Sequence, residues 1–177
     1  RRNTEAAHLA AKDKRRSPET KKKIALARER NVSGASVYES ILAEKLMAKG
    51  LEVTLQKTVE CYNIDIAIPE FSIAVEVFGG HWHSYGRHAR RFRERFNLLL
   101  DRGWTPVIVW ISNGILTDGC VDYIVSLCDD SRLDQTTGRC EHVIDGNGKP
   151  SAIGDSKLNY GSIVGSDEGC NLVRGEN

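Results

Sequence analysis

The run Thr105-Pro-Val-Ile-Val-Trp-Ile111 is apolar at almost every position. A strand with one solvated face alternates apolar and polar residues, so a run without alternation predicts a strand buried on both faces, inside a sheet that helices cover. The flanking sequence supplies such helices. Arg87 to Arg102 places Phe92, Phe96, Leu99 and Leu100 on one helical face and closes at Gly103. Residues 118 to 128 predict a further helix. Upstream, Ser36 and Glu39 stand in capping-box relation, and Ile41, Leu42 and Leu46 carry a helical stripe towards Gly50. Leu51 to Val59 and Tyr62 to Ile68 alternate as strands do, Pro69-Glu70 predicts a turn, and Phe71 to Phe78 predicts a third strand. The order helix, three strands, helix, strand, helix predicts a compact α/β layer over residues 36–128.

The chain of 177 residues has room for one such domain with appendages. Its 40% hydrophobic and 28% charged residues exclude a collagen-like or wholly disordered chain. No apolar run approaches the roughly 20 residues of a membrane span, and no leader pattern stands at the start, so the expectation is a cytoplasmic protein without a membrane partner. Five cysteines without tight pairing predict reduced thiols. Cys120, Cys128, Cys140 and His142 lack the close spacing of a structural zinc site.

The net charge of +1 conceals an uneven distribution. Residues 1–31 contain eleven Lys/Arg against four Asp/Glu, whereas residues 129–177 contain five against nine. Residues 1–35 therefore read as a basic arm suited to phosphates, or else as a solvated tail. Within the arm Ser17-Pro18-Glu19 predicts the start of a helix over about 18–30, where Lys21, Lys22 and Lys23 outweigh a thin apolar content. A helix so poor in apolar surface gains most from packing on a partner or lying along DNA. Residues 129–177, rich in Gly, Asp, Ser and Asn, read as an irregular extension with one possible hairpin around Asp145-Gly146-Asn147-Gly148.

Two acids stand out in the alternating strands. If Pro69 and Glu70 form the turn, Asp65 falls opposite Ala74 and Glu76 is its diagonal neighbour. Both acids would then share one face, with Ile64, Ile66, Val75 and Val77 on the other. Such a pair suits a hard cation such as Mg²⁺, and it equally suits the solvated face of a hairpin. Just beyond lies Gly79-Gly80-His81-Trp82-His83, where glycines permit close approach of a phosphate and imidazole exchanges protons near neutral pH.

The segment IDIAIPEFSIAVEVFGGHWH, followed by a helix and then GWTPVIVW, resembles the very-short-patch-repair endonucleases and their phage and intron homing relatives, the EDxHD family of the PD-(D/E)xK superfamily. The resemblance covers residues 36–111. RRSPETKKKIALAR in the arm resembles a nuclease-associated modular DNA-binding repeat. The resemblance implies a PD-(D/E)xK-like mixed sheet flanked by helices, and a Mg²⁺-dependent, site-specific endonuclease acting on double-stranded DNA. For a phage-encoded enzyme the place of action is the cytoplasm of a bacterial host. It carries the family's helix glutamate onto Glu39, its strand aspartate onto Asp65 and its catalytic histidine onto His83, and the wider superfamily's second acid onto Glu76. Asp65 and Glu76 are the implied metal ligands. The capping box explains Glu39 as well.

Three departures accompany the match. Gly80, Tyr85 and Arg87 stand where repair enzymes of this kind place zinc ligands, Val77-Phe78 replaces the superfamily's lysine pair, and Phe92 aligns with the family's last aspartate. DNA contacts are expected from Arg15, Arg16, Lys21, Lys22 and Lys23, and from Arg87, Arg91 and Arg95, which recur every four residues along one helix. A mismatch-repair nicking enzyme and a non-catalytic DNA-binding module on the same fold are the alternatives.

Overall fold

The computed structural model describes residues 16–32, 34–79, 87–133 and 142–150. The elements in chain order are α1 (Pro18–Asn31), α2 (Val37–Ala48), β1 (Thr54–Val59), β2 (Tyr62–Ile68), a 3-10 turn (Pro69–Phe71), β3 (Ile73–Gly79), α3 (Arg87–Asp101), β4 (Thr105–Ile111), α4 (Asp118–Leu133) and β5 (His142–Asp145). The five strands form one mixed sheet in the order β1-β2-β3-β4-β5. The β1–β2 and β2–β3 pairs are antiparallel, and the β3–β4 and β4–β5 pairs are parallel. Among the described residues no helix is long and apolar enough to cross a membrane.

Six of the seven residues of β4 are buried, as the unbroken apolar run requires. Val107, Val109 and Ile111 meet Leu42 and Leu46 of α2 and Val121 and Ile124 of α4 on one face. On the other face Ile108 and Trp110 pack with Phe96 and Leu99 of α3. Each large side chain buried here contributes about 1.5–3 kcal/mol of transfer free energy. Phe78 stands edge-on to Trp110 with ring centroids 5.5 Å apart, a geometry favoured by the aromatic quadrupole. Lys45 and Lys49 of α2 pair with Asp118 and Asp122 of α4 at 2.5 and 2.8 Å, aligning the two helices on their shared face.

Three expectations require correction. The irregular extension is not wholly irregular: α4 continues to Leu133, and His142–Asp145 forms β5 on the free edge of β4. Its polar neighbours hid it, because an edge strand of four residues needs only Ile144 fully buried. The hairpin turn anticipated around Asp145 is present, with Asp145 Oδ1 accepting from the Asn147 and Lys149 N–H groups and Ile144 bridging Pro150.

The turn between β2 and β3 is longer than Pro69-Glu70. Pro69–Phe71 winds into a 3-10 turn and Ser72 takes a left-handed conformation at φ 53°, so β3 begins at Ile73. Ile68 therefore faces Ile73, Ala67 faces Ala74 and Ile66 faces Val75. Continued one step, that register sets Asp65 directly opposite Glu76, with no diagonal offset.

The arm's helix is the third. Ser17 caps α1 by accepting from the Thr20 N–H at 3.2 Å, as its sequence predicts. The helix then docks on this chain's own β1–β2 hairpin. Ala25 is buried there, and Glu29 accepts from the Thr58 N–H at 3.0 Å and pairs with Lys57 at 3.0 Å. Asn63 closes the junction by donating from Nδ2 to the carbonyls of Ala25 and Gln56 at 2.9 and 2.8 Å. Replacing Asn63 by Ala removes both hydrogen bonds, each of which contributes about 0.5–1.5 kcal/mol, so roughly 1–3 kcal/mol together. We expect Asn63→Ala to lower unfolding free energy by about that amount and to raise amide exchange across residues 18–31. Unchanged exchange in α1 would detach the helix from the hairpin.

Candidate active site

The site forms where the sheet stops being regular. The ladder between β1 and β2 pairs Leu55 with Ile66 and Lys57 with Ile64 but skips Gln56 and Asp65, which stand opposite one another between them. Gln56 sits at φ 52°, a left-handed backbone that costs a non-glycine residue about 1–3 kcal/mol. The interruption turns both strands over. Leu55 and Ile66 pack into the α2/α4 cluster, whereas Val59 and Ile64 pack into the α3 cluster, although each pair would share a face in a regular strand. The expectation that Ile64 shares a face with Ile66, Val75 and Val77 is thus corrected.

On its other side Asp65 lies one step beyond the last β2–β3 pair. The Val77 N–H donates to Asp65 Oδ2 at 3.1 Å. A continued ladder would direct that donor to the carbonyl of Ile64, so the carboxylate stands in for backbone and sits in the seam between the strands.

Glu76 faces it from β3 with no exposure to solvent. Arg95 of α3 donates from Nη2 to Glu76 Oε1 at 2.5 Å, and the same nitrogen meets the carbonyl oxygen of Asn63. Arg95, expected in a DNA-contacting stripe, is engaged within the chain instead. Its side chain is only 16% exposed and is committed to Glu76, because a fully buried carboxylate needs a counter-charge more than a phosphate does. Glu76 Oε2 and Arg95 Nε are buried and without hydrogen-bond partners among the described residues. Burial pushes the Glu76 carboxyl well above the usual carboxylate range; the Arg95 guanidinium opposes this and Asp65, within hydrogen-bonding reach, adds to it.

Glu39 enters from the first turn of α2. Ser36 caps the helix by accepting from the Glu39 N–H at 3.2 Å, and Gln56 Nε2 donates to Glu39 Oε2 at 3.1 Å inside the protein. Glu39 is 7% exposed, and burial followed by the nearby Asp65 charge raises its pKa, while hydrogen bonds from Ser36 and Gln56 oppose the rise. Capping and membership of the acidic group are therefore properties of one carboxylate.

The structure thus gathers Glu39, Asp65 and Glu76 at the seam and brings Arg95 in among them. Lys21, Lys22, Lys23 and Arg16 are exposed at or just before α1. His83, Arg15 and the side chains of Arg87 and Arg91 lie outside the described residues, as do His81, Trp82 and Phe92. Sequence reasoning missed Gln56 and Asn63. Both occupy ordinary polar positions of alternating strands, and nothing in their spacing marks the left-handed backbone of one or the helix contact of the other.

The donor set decides what the seam can hold. Two carboxylates in hydrogen-bonding reach with no donor between them require a proton or a cation, and an all-oxygen pair suits a hard divalent cation such as Mg²⁺. Asp65 and Glu76 fit that role, with Glu39 supplying charge behind them. Among the described residues no three His, Cys, Asp or Glu side chains converge tightly enough to hold a metal by themselves. Two of the cysteines considered for zinc lie elsewhere. Cys120 and Cys128 are buried in the α2/α4 core, where burial pushes the Cys120 thiol up to about 12, and His142 Nδ1 is hydrogen-bonded to the Tyr123 hydroxyl at 2.9 Å. Cys140 lies outside the described residues.

The raised Glu39 carboxyl has a sign that can be tested. A carboxyl whose folded-state pKa exceeds its unfolded value makes the folded state bind the extra proton, so stability falls as pH climbs from about 4.5 through the folded-state pKa. Gln at this position keeps an acceptor for Gln56 and removes the charge. The stability of Glu39→Gln minus that of wild type, measured by denaturation in EDTA, should therefore increase with pH across that window; a flat difference would remove Glu39 from the acidic group.

Comparison with protein-family models, with curated proteins and with solved structures finds no match for this chain.

Proposed function

We propose that this chain is a metal-dependent DNA endonuclease with a PD-(D/E)xK-like core, of the homing type its motifs resemble. The observation that carries the reading is the meeting of Asp65 with the buried Glu76 at a break in the sheet, where one carboxylate oxygen has no partner among the described residues. Structural acids are usually solvated or fully paired, so a buried acid left half-paired beside a second acid marks a place prepared for a cation.

Asp65 and Glu76 would hold Mg²⁺. When bound, the ion neutralises charge at the phosphoryl oxygens and helps water attack the phosphorus. The protein's own groups do the rest. The Val77 N–H fixes the Asp65 carboxylate, Arg95 fixes that of Glu76, and Gln56 fixes Glu39, so none of the three has to reorganise when charge develops. By resemblance His83 takes the proton from the attacking water. The exposed Lys21, Lys22 and Lys23 supply affinity for the DNA backbone. Because α1 is docked on the β1–β2 hairpin, whose two strands carry Gln56 and Asp65, those lysines keep a fixed relation to the site.

A second reading is favoured by one observation. Arg95 already compensates part of the site's charge, as it would in a DNA-binding module that has lost catalysis. A plasmid-nicking assay with Mg²⁺ and then with EDTA separates the two, since only the enzyme converts supercoiled DNA. Asp65→Asn should abolish conversion while leaving DNA affinity within a few-fold, because the amide is a far poorer ligand of nearly unchanged shape. Near-normal turnover would remove Asp65 from the chemistry. Replacing Lys21, Lys22 and Lys23 by Ala should leave the chain folded and flatten the log-log salt dependence of binding by about 0.9 for each phosphate that is no longer neutralised. An unchanged slope would place the DNA elsewhere.

A further inference from the structure

The left-handed backbone of Gln56 is held in part from outside the sheet. β1 is an edge strand, and α1 grips both residues that follow Gln56. Glu29 accepts from the Thr58 N–H at 3.0 Å with one carboxylate oxygen and pairs with Lys57 at 3.0 Å with the other. The Gln56 carbonyl accepts from Asn63 Nδ2 at 2.8 Å, and the same nitrogen donates to the Ala25 carbonyl of α1 at 2.9 Å. A buried non-glycine residue keeps φ at 52° only where its neighbours over-determine it. Those neighbours include a helix that contributes none of the acids.

The consequence reaches the site. Turned by that backbone, Gln56 sends its Nε2 to Glu39 Oε2 at 3.1 Å inside the protein. An extended Gln56 would rejoin the ladder between the Leu55 and Lys57 pairs and redirect its side chain, leaving Glu39 without its buried donor. For phosphate binding alone, moreover, an acid on α1 is unfavourable, because it offsets one of the lysines.

Resting on the endonuclease reading, we propose that Glu29 is a positioning residue: through Lys57 and Thr58 it holds Gln56 in the conformation that orients Glu39, so α1 shapes the site as well as meeting DNA. The hold on Thr58 depends on reach more than on charge. Glu29→Gln keeps an oxygen for the Thr58 N–H without the charge, whereas Glu29→Asp keeps the charge and is one methylene short.

The test compares these two variants with wild type on the full chain, each shown by circular dichroism to be folded. Exchange of the Gln56 side-chain amide protons, followed by NMR, should be slow in wild type and Glu29→Gln and fast in Glu29→Asp. Cutting of supercoiled plasmid with Mg²⁺ and saturating protein should stay near wild type in Glu29→Gln. In Glu29→Asp it should slow by roughly 10- to 100-fold at unchanged DNA affinity, since the net charge is the same. A role of Glu29 through charge alone predicts the reverse order, and a helix that only binds DNA predicts wild-type cutting by both. A Gln56 amide still protected in Glu29→Asp, or wild-type cutting despite its exposure, would overturn the proposal. Loss of that protection in Glu29→Gln would overturn it too, even if Glu29→Asp does not fold. A wild type that never cuts would instead overturn the endonuclease reading, and the exchange comparison alone would then decide whether α1 holds Gln56.

Discussion

The ion pair between Glu76 and Arg95 is the interaction on which the centre of this molecule depends. A carboxylate with no exposure cannot keep its charge without a partner, and removing one member of a buried pair typically costs about 3–5 kcal/mol. Arg95 reaches Glu76 because α3 lies on the face of the sheet that Glu76 points to, where Phe96 and Leu99 hold the helix against Ile108 and Trp110. The apolar packing of α3 therefore sets the electrostatics of the seam. The same guanidinium meets the Asn63 carbonyl, and the Asn63 amide reaches back to α1 and to Gln56. One buried pair thus ties three elements to the acids.

The second constraint is the paired interruption at Gln56 and Asp65. A regular ladder would have placed Asp65 on a sheet face and fed its neighbours into one core. The left-handed Gln56 turns the strands over at that point, so that the Asp65 carboxylate lies in the seam and takes a backbone donor of β3. Strain of this kind persists only where surrounding structure over-determines it. Here the flanking Leu55–Ile66 and Lys57–Ile64 pairs and the buried hydrogen bond from Gln56 to Glu39 do so.

Much of this could be read from the residues. The unbroken β4 run, the capping residues Ser17 and Ser36, and the amphipathic α3 signalled their elements because period and capping chemistry are local. Asp65 and Glu76 were legible as neighbours, yet their register was off by two residues, because the winding of Pro69–Phe71 and the left-handed Ser72 have no unique signature. Arg95 looked like part of a surface stripe, since spacing reveals a helix face but not a buried acid waiting across a layer. The short β5 and the docking of α1 depend on partners distant in sequence, which periodicity does not see.

Thermal unfolding with and without Mg²⁺ tests the central claim, that the seam is built for a divalent cation, independently of any DNA substrate. A ligand that binds only the folded state stabilises it by about 2.7 kcal/mol at a hundred times its dissociation constant. The account predicts that Mg²⁺ raises the melting temperature of wild type, and that Asp65→Asn abolishes the rise without unfolding the protein. A wild-type melting temperature indifferent to Mg²⁺, or an equal rise in Asp65→Asn, would contradict it.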